Sequence, residues 1–158
     1  MNTLTIREAT EADIHAIVAL LTDDAIGETR ERPGDPAYRE AFARMATQEG
    51  NIELVAERDG TVVGCLQLTM IAGLSRAGQM RAQIEGVRVA TSARGEGVGE
   101  AMVRDALARA EEAGCALAQL TTDVRRADAK RFYERLGFEA THWGMKRALS
   151  PARSLSAT

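Results

Sequence analysis

Aromatic residues are scarce in this chain, 4% of 158 residues, with a single tryptophan. There are only three prolines, two cysteines and two histidines, and each shortage excludes something. Cys65 and Cys115 both sit inside apolar runs, GCLQL and GCALAQL. Two such thiols in so long a chain form no disulfide framework and point to a reducing compartment. His15 and His142 stand far from each other and from both cysteines, so the metal-ligand spacings are missing and no metal is expected. No apolar run approaches the ~20 residues of a membrane-spanning helix. MNTLTIREATEAD carries charges where a leader's apolar segment would lie, so a cytoplasmic location is expected. A net charge of −3 gives no support for nucleic acid or membrane as a partner. Lysine is the last shortage: only Lys130 and Lys146 stand among twenty basic residues, which reads as a coding bias.

The patterns that are present describe an α/β protein. Leu4 and Ile6 alternate with polar neighbours as a strand does, and Thr10 with Asp13 forms a variant capping box. Ile14, Ile17, Val18 and Leu21 then mark a half-buried helix. Asp35-Pro36 starts a second helix with Tyr38, Ala41, Phe42 and Met45 on one side. NIELVAER and TVVGCLQLTM flank Asp59-Gly60, the pair favoured in a type I′ hairpin turn. MRAQIEGVRV reads as a fourth strand, and Val103, Ala106, Leu107 and Ala110 lie on a helix that Gly114 closes. CALAQLTT is a buried strand, Ala129, Phe132, Tyr133 and Leu136 mark a short helix, and FEATHWGMKRAL is a final strand. The order is β-α-α-β-β-β-α-β-α-β in one domain, residues 1–149, followed by a frayed tail, 150–158.

Between the fourth strand and the following helix stands ARGEGVGEAMV. Gly95, Gly97 and Gly99 alternate where a helix should begin, although glycine costs about 1 kcal/mol relative to alanine inside one. A helix N-terminus offers unpaired N–H groups and a partial positive charge, a natural cradle for phosphate. Glycines let an anion approach, and Arg94 adds a charged donor. A tight turn packed on the sheet would look the same. No lysine with serine or threonine follows, which excludes a P-loop, and the GxGxxG spacing fails at Glu100 and at Met102.

Arg94-Gly95-Glu96-Gly97-Val98-Gly99 resembles the [QR]-x-x-G-x-[GA] motif of the GNAT superfamily of acyl-CoA-dependent N-acyltransferases. ADAKRFYERLGF, Ala127 to Phe138, is similar to that family's A-x-x-[FL]-Y-x-x-x-G-F segment, and the element order agrees from Leu4 to Leu149. The resemblance implies a GNAT-like mixed, mostly antiparallel twisted sheet flanked by helices. It also implies acetyl-CoA as co-substrate, with its pyrophosphate at Arg94, Gly95, Glu96, Gly97, Val98 and Gly99. Its pantetheine arm would lie against the backbone of Val87 and Val89. Arg126 departs from the asparagine that many members carry three residues before the motif alanine. The Glu96 carboxylate would repel a pyrophosphate and should turn into solvent.

Acetyl transfer from a thioester to an amine needs a proton acceptor, because alkylammonium groups titrate near about 10. Glu85 is the candidate, as the fourth strand resembles that of members with a glutamate there; a solvated strand carboxylate would look alike. Simple alternation puts Arg81, Gln83 and Glu85 on one face, a parity that a bulge, which Gly86 would accommodate, would change. An N–H at Val87 is implied for the oxyanion. Tyr133 matches the motif tyrosine and would serve the leaving sulfur, although its helical stripe also suits plain packing. No cysteine stands in either motif, so direct attack in a ternary complex is expected. The acceptor is expected to be a primary amine of a small polar metabolite, bound near IGETRERPGD, Tyr38 and Arg81. An acyl-CoA-binding sensor without turnover and a peptide or protein acetyltransferase are the alternatives. A homodimer is also among the expectations, with Trp143 at its interface or in the core.

Overall fold

In the computed structural model, which describes residues 3–149, the alternating Leu4 and Ile6 form β1 (Leu4–Glu8). A single 3-10 turn, Glu11–Asp13, leads into α1 (Ile14–Thr22). The capping box forms as expected: the Thr10 N–H donates to Asp13 Oδ2 at 2.7 Å. Arg7 grips the same carboxylate through two bonds of 2.8 and 3.0 Å and reaches Glu57 at 2.6 Å. Those bonds hold the Asp13 carboxyl down at about 2, because they favour its charged form. α2 (Ala37–Ala46) buries none of its residues fully.

The hairpin of β2 (Asn51–Arg58) and β3 (Thr61–Ile71) turns at Asp59 and Gly60, whose φ values of 50° and 77° suit a type I′ turn. A single turn, α3 (Ser75–Gly78), precedes β4 (Met80–Val89), and α4 (Val98–Glu112) crosses back to β5 (Cys115–Leu120). The sheet order is β1-β2-β3-β4-β5. All neighbours are antiparallel except β4 and β5, which are parallel.

The two faces of the sheet are covered differently. On one, α4 lays Met102, Val103, Ala106 and Ala110 against the sheet, all buried. Gly64 allows this close approach: a Cβ there would stand 2.8 Å from Met102 Cε and 3.1 Å from the Arg88 carbonyl oxygen. On the other face, Ile17 and Leu20 of α1 pack on Val55 and Cys65. Burying each such side chain contributes about 1.5–3 kcal/mol.

The chain divides into two compact units, Met1–Leu120 and Thr121–Thr158. The second contains α5 (Ala127–Arg135), which ends at Gly137 in the left-handed region with φ 88°. There the N–H groups of Leu136 and Phe138 both reach the Tyr133 carbonyl, at 3.0 and 3.1 Å. The expected final strand, Phe138–Leu149, does not form. A tight local bond from the Thr141 N–H to the Glu139 carbonyl, 3.0 Å, bends the run near its start. Bent in this way, the run does not pair as a ladder strand. Trp143 is 96% exposed, and Met145 and Leu149 are exposed with it. The tail expected at 150–158 lies outside the described residues.

Candidate active site

β4 carries the bulge that Gly86 was expected to accommodate. Cys65 of β3 stands opposite Arg88 and Gln67 opposite Glu85, so Leu66 alone faces both Gly86 and Val87. Gly86 takes φ 61°, a conformation that favours glycine at such a bulge. Before it, Arg81, Gln83 and Glu85 share the α1 side of the sheet, and Ala82 and Ile84 are buried on the α4 side. After it the parity reverses, and Arg88 turns to the α1 side opposite Cys65.

The other edge of the same segment is open within the sheet. The β4–β5 ladder ends at Ile84 opposite Leu120, and Glu85–Val89 continue without a β5 partner. Backbone donors and acceptors left free of a ladder require another partner. Glu85 is exposed at the start of this stretch.

β4 runs on into the glycine-rich turn. Gly95 and Gly97 take φ values of 78° and 80°, and an added Cβ at either would meet nothing within 4 Å. The glycines thus permit a left-handed path and leave open space above it. α4 starts at Val98 with Gly97 at its N-cap and no side chain capping it, so its first-turn N–H groups point outward without a side-chain acceptor. Arg94 is committed locally: its Nε donates to the Val89 carbonyl at 3.2 Å and its Nη2 to the Asp23 carbonyl at 3.3 Å. Glu96 is exposed, and its carboxylate also pairs with Arg58 at the end of β2. A cation beside it offsets the repulsion it would exert on a pyrophosphate.

The loop between α1 and α2 is hooked onto these elements. Asp24 accepts the N–H groups of Ile26 and Gly27 at 2.9 and 2.7 Å and pairs with Arg88 at 3.1 Å. Asp23 accepts from the Thr91 hydroxyl at 2.9 Å. Tyr38, expected near the acceptor, donates to Glu31 at 2.9 Å and accepts from the Arg32 N–H at 2.8 Å, so it holds the loop together.

A row of polar side chains missed in the sequence crosses the α1 side of the sheet. Glu53, Gln67 and Glu85 stand directly opposite one another on β2, β3 and β4. Gln67 Nε2 donates to Asn51 Oδ1 at 2.8 Å. Beside Glu53 a cleft of about 190 Å³ opens between α2 and β2, lined by Phe42, Met45, Ala46 and Asn51 among others. Burial alone pushes the Glu53 carboxyl up to about 7. Alternation gave no signal for it: in NIELVAER, Glu53 shares its parity with Asn51 and Glu57 as well as with the buried Val55. Burial also raises the Cys65 thiol, which keeps it protonated and unsuited to nucleophilic attack. No group of three or more metal-ligating side chains occurs among the described residues.

Tyr133 belongs to the second unit. Its ring meets Phe132 and Phe138 edge-on at 5.0 and 5.8 Å between centroids. Arg126 is the N-cap residue of the same helix, and its carbonyl accepts the Ala129 N–H at 3.1 Å.

The acetyltransferase (GNAT) family model matches residues 14–138. The chain belongs to the GNAT family of acetyltransferases. It is 31% identical over 144 residues to aminoalkylphosphonate N-acetyltransferase of Salmonella typhimurium, covering 91% of this chain and 90% of that one. Among solved structures, a protein of Bacillus halodurans described as a transcriptional regulator superposes with a TM-score of 0.90. It is 46% identical, over 93% of this chain and 100% of the other. An acetyltransferase of Trypanosoma brucei follows with a TM-score of 0.77 and 28% identity, over 93% and 100%. The acetyltransferase is therefore an enzyme dependent on acetyl-CoA that modifies an amine. Among its described residues no helix is long and apolar enough to cross a membrane.

Proposed function

We propose that the acetyltransferase moves the acetyl group of acetyl-CoA to the primary amine of a small polar metabolite, by direct attack. The observation that carries this reading is the β4 bulge with its open edge, continuous with the uncapped start of α4. In it, the pyrophosphate rests on the turn Arg94, Gly95, Glu96, Gly97, Val98 and Gly99. Arg94 acts there by fixing the turn, and its charge adds to the field of the helix terminus. The backbone of Val87 and Val89 holds the pantetheine arm, and the Val87 N–H, on the bulge, donates to the developing oxyanion. Glu85 takes the ammonium proton, the free amine attacks the thioester carbon, and the C–S bond breaks as the nitrogen's second surplus proton passes to the departing sulfur. Tyr133 stabilises the departing thiolate. Because a phenol near about 10 is a weaker acid than a thiol near about 8.5, its part is a hydrogen bond more than a full proton transfer.

The curated relative's aminoalkylphosphonate acceptor supports a small molecule over a peptide. Two free cysteines, one buried, support a reducing cytoplasm. The exposed Trp143 and Met145 are the apolar surface that a homodimer would cover.

Tyr133→Phe tests the assignment of the leaving group. It is expected to lower kcat about tenfold while KM for acetyl-CoA and the melting temperature stay within error. Unchanged kcat would make Tyr133 a packing residue only.

A further inference from the structure

The polar row leads away from the open edge of β4. It begins at Glu85, passes Gln67 and ends at Glu53, two strands in. With strands about 4.8 Å apart, the backbones of Glu85 and Glu53 are separated by roughly 10 Å. Glu53 sits where the row meets the α2–β2 cleft. Its carboxylate is mostly buried and accepts no hydrogen bond from any described residue, an expensive arrangement for a charge.

The charged groups around it do not relieve that cost. Arg7, its diagonal neighbour on β1, is committed to Asp13 and Glu57. Arg88 on β4 is paired with Asp24. Glu8, which also lines the cleft, is paired with Arg109. Cys65 on β3 is a protonated thiol, and Glu85 is an acid. From α2 the cleft receives Phe42, Met45 and Ala46, none of them charged. The site therefore offers one carboxylate without a hydrogen-bond donor of its own, in a cleft whose α2 wall is Phe42, Met45 and Ala46, with no cation to receive an anion.

Building on the acetyltransferase reading above, we propose that the α2–β2 cleft is an acceptor subsite for a second cationic group carried on an apolar stem, with Glu53 as its counter-charge. The reacting amine then lies at Glu85 and the stem runs along Gln67 under α2. Glu53 specifies the substrate and takes no part in bond making. A diamine fits this arrangement; an aminoalkylphosphonate, whose far end is an anion, does not.

The test uses the full chain with 1,5-diaminopentane, n-pentylamine and 2-aminoethylphosphonate. Titration calorimetry is expected to give the diamine at least tenfold tighter binding than the monoamine in the wild type. In turnover with acetyl-CoA, kcat/KM should favour the diamine by a similar factor, expressed in KM. Glu53→Gln should bring both ratios close to one, and Glu53→Asp should restore part of them. Equal handling of the two amines by the wild type, a preference that survives in Glu53→Gln, or a preference for the phosphonate would each overturn the subsite. Diamine-selective binding that depends on Glu53 but leads to no acetyl transfer would uphold the subsite and overturn the assigned chemistry instead.

Discussion

Glu53→Gln is expected to stabilise the protein at pH 8 and to leave its stability unchanged near pH 4. The reason is the buried carboxyl, pushed up to about 7 from an ordinary value of 4.5. Below about pH 4.5 both the folded and the unfolded chain hold this proton, and burial costs nothing in charge. Between that point and about pH 7 the unfolded chain gives up its proton while the folded chain keeps it. The folded state then binds more protons, so stability falls as pH rises through this window. Integrated over the window the loss is on the order of 3 kcal/mol. Glutamine does not titrate, and after allowing for its own need for partners it should regain about 1–3 kcal/mol at pH 8. For a chain of this size that is a melting temperature higher by several degrees. Melting curves of both proteins from pH 4 to pH 8 measure it directly. A difference independent of pH would mean that Glu53 is solvated or paired, and the proposed subsite would lose its driving force.

Glu85→Gln should have the largest effect on rate. At pH 7 an alkylamine with a pKa near about 10 is almost wholly protonated. A positioned base that removes the proton contributes 10²- to 10⁴-fold in typical cases. We expect kcat to fall about a hundredfold at pH 7 with acetyl-CoA binding unaltered, because Glu85 lies one step before the bulge and the turn beyond it is intact. The variant should recover about tenfold per pH unit as the free amine becomes available, so the two profiles converge near about pH 9. A constant ratio across that range would show that Glu85 orients the acceptor and that another group, or water, takes the proton.

Much of the architecture was legible in the sequence because it rests on local rules. The Thr10–Asp13 box, the Asp59-Gly60 turn and the left-handed glycines before α4 each follow from a few neighbouring residues. The bulge at Gly86 was foreseeable for the same reason. What could not be read were relations between distant strands. Glu53 becomes notable only when β2 and β3 fix it opposite Gln67, and when α2, with its half-buried stripe, stops short of covering it. The Arg58–Glu96 pair joins residues thirty-eight positions apart, which no local pattern announces. The final strand expected at Phe138–Leu149 had no such local rule behind it, since a strand exists only through its partner.

The glycine-rich turn as an acetyl-CoA cradle is the central claim, and the melting temperature against acetyl-CoA tests it most directly. A ligand that binds only the folded state stabilises it by about 2.7 kcal/mol at a hundred times its dissociation constant. A rise of several degrees with acetyl-CoA, and none with NAD or ATP at the same concentrations, is the predicted result. No shift with acetyl-CoA, or an equal shift with NAD, would contradict the account.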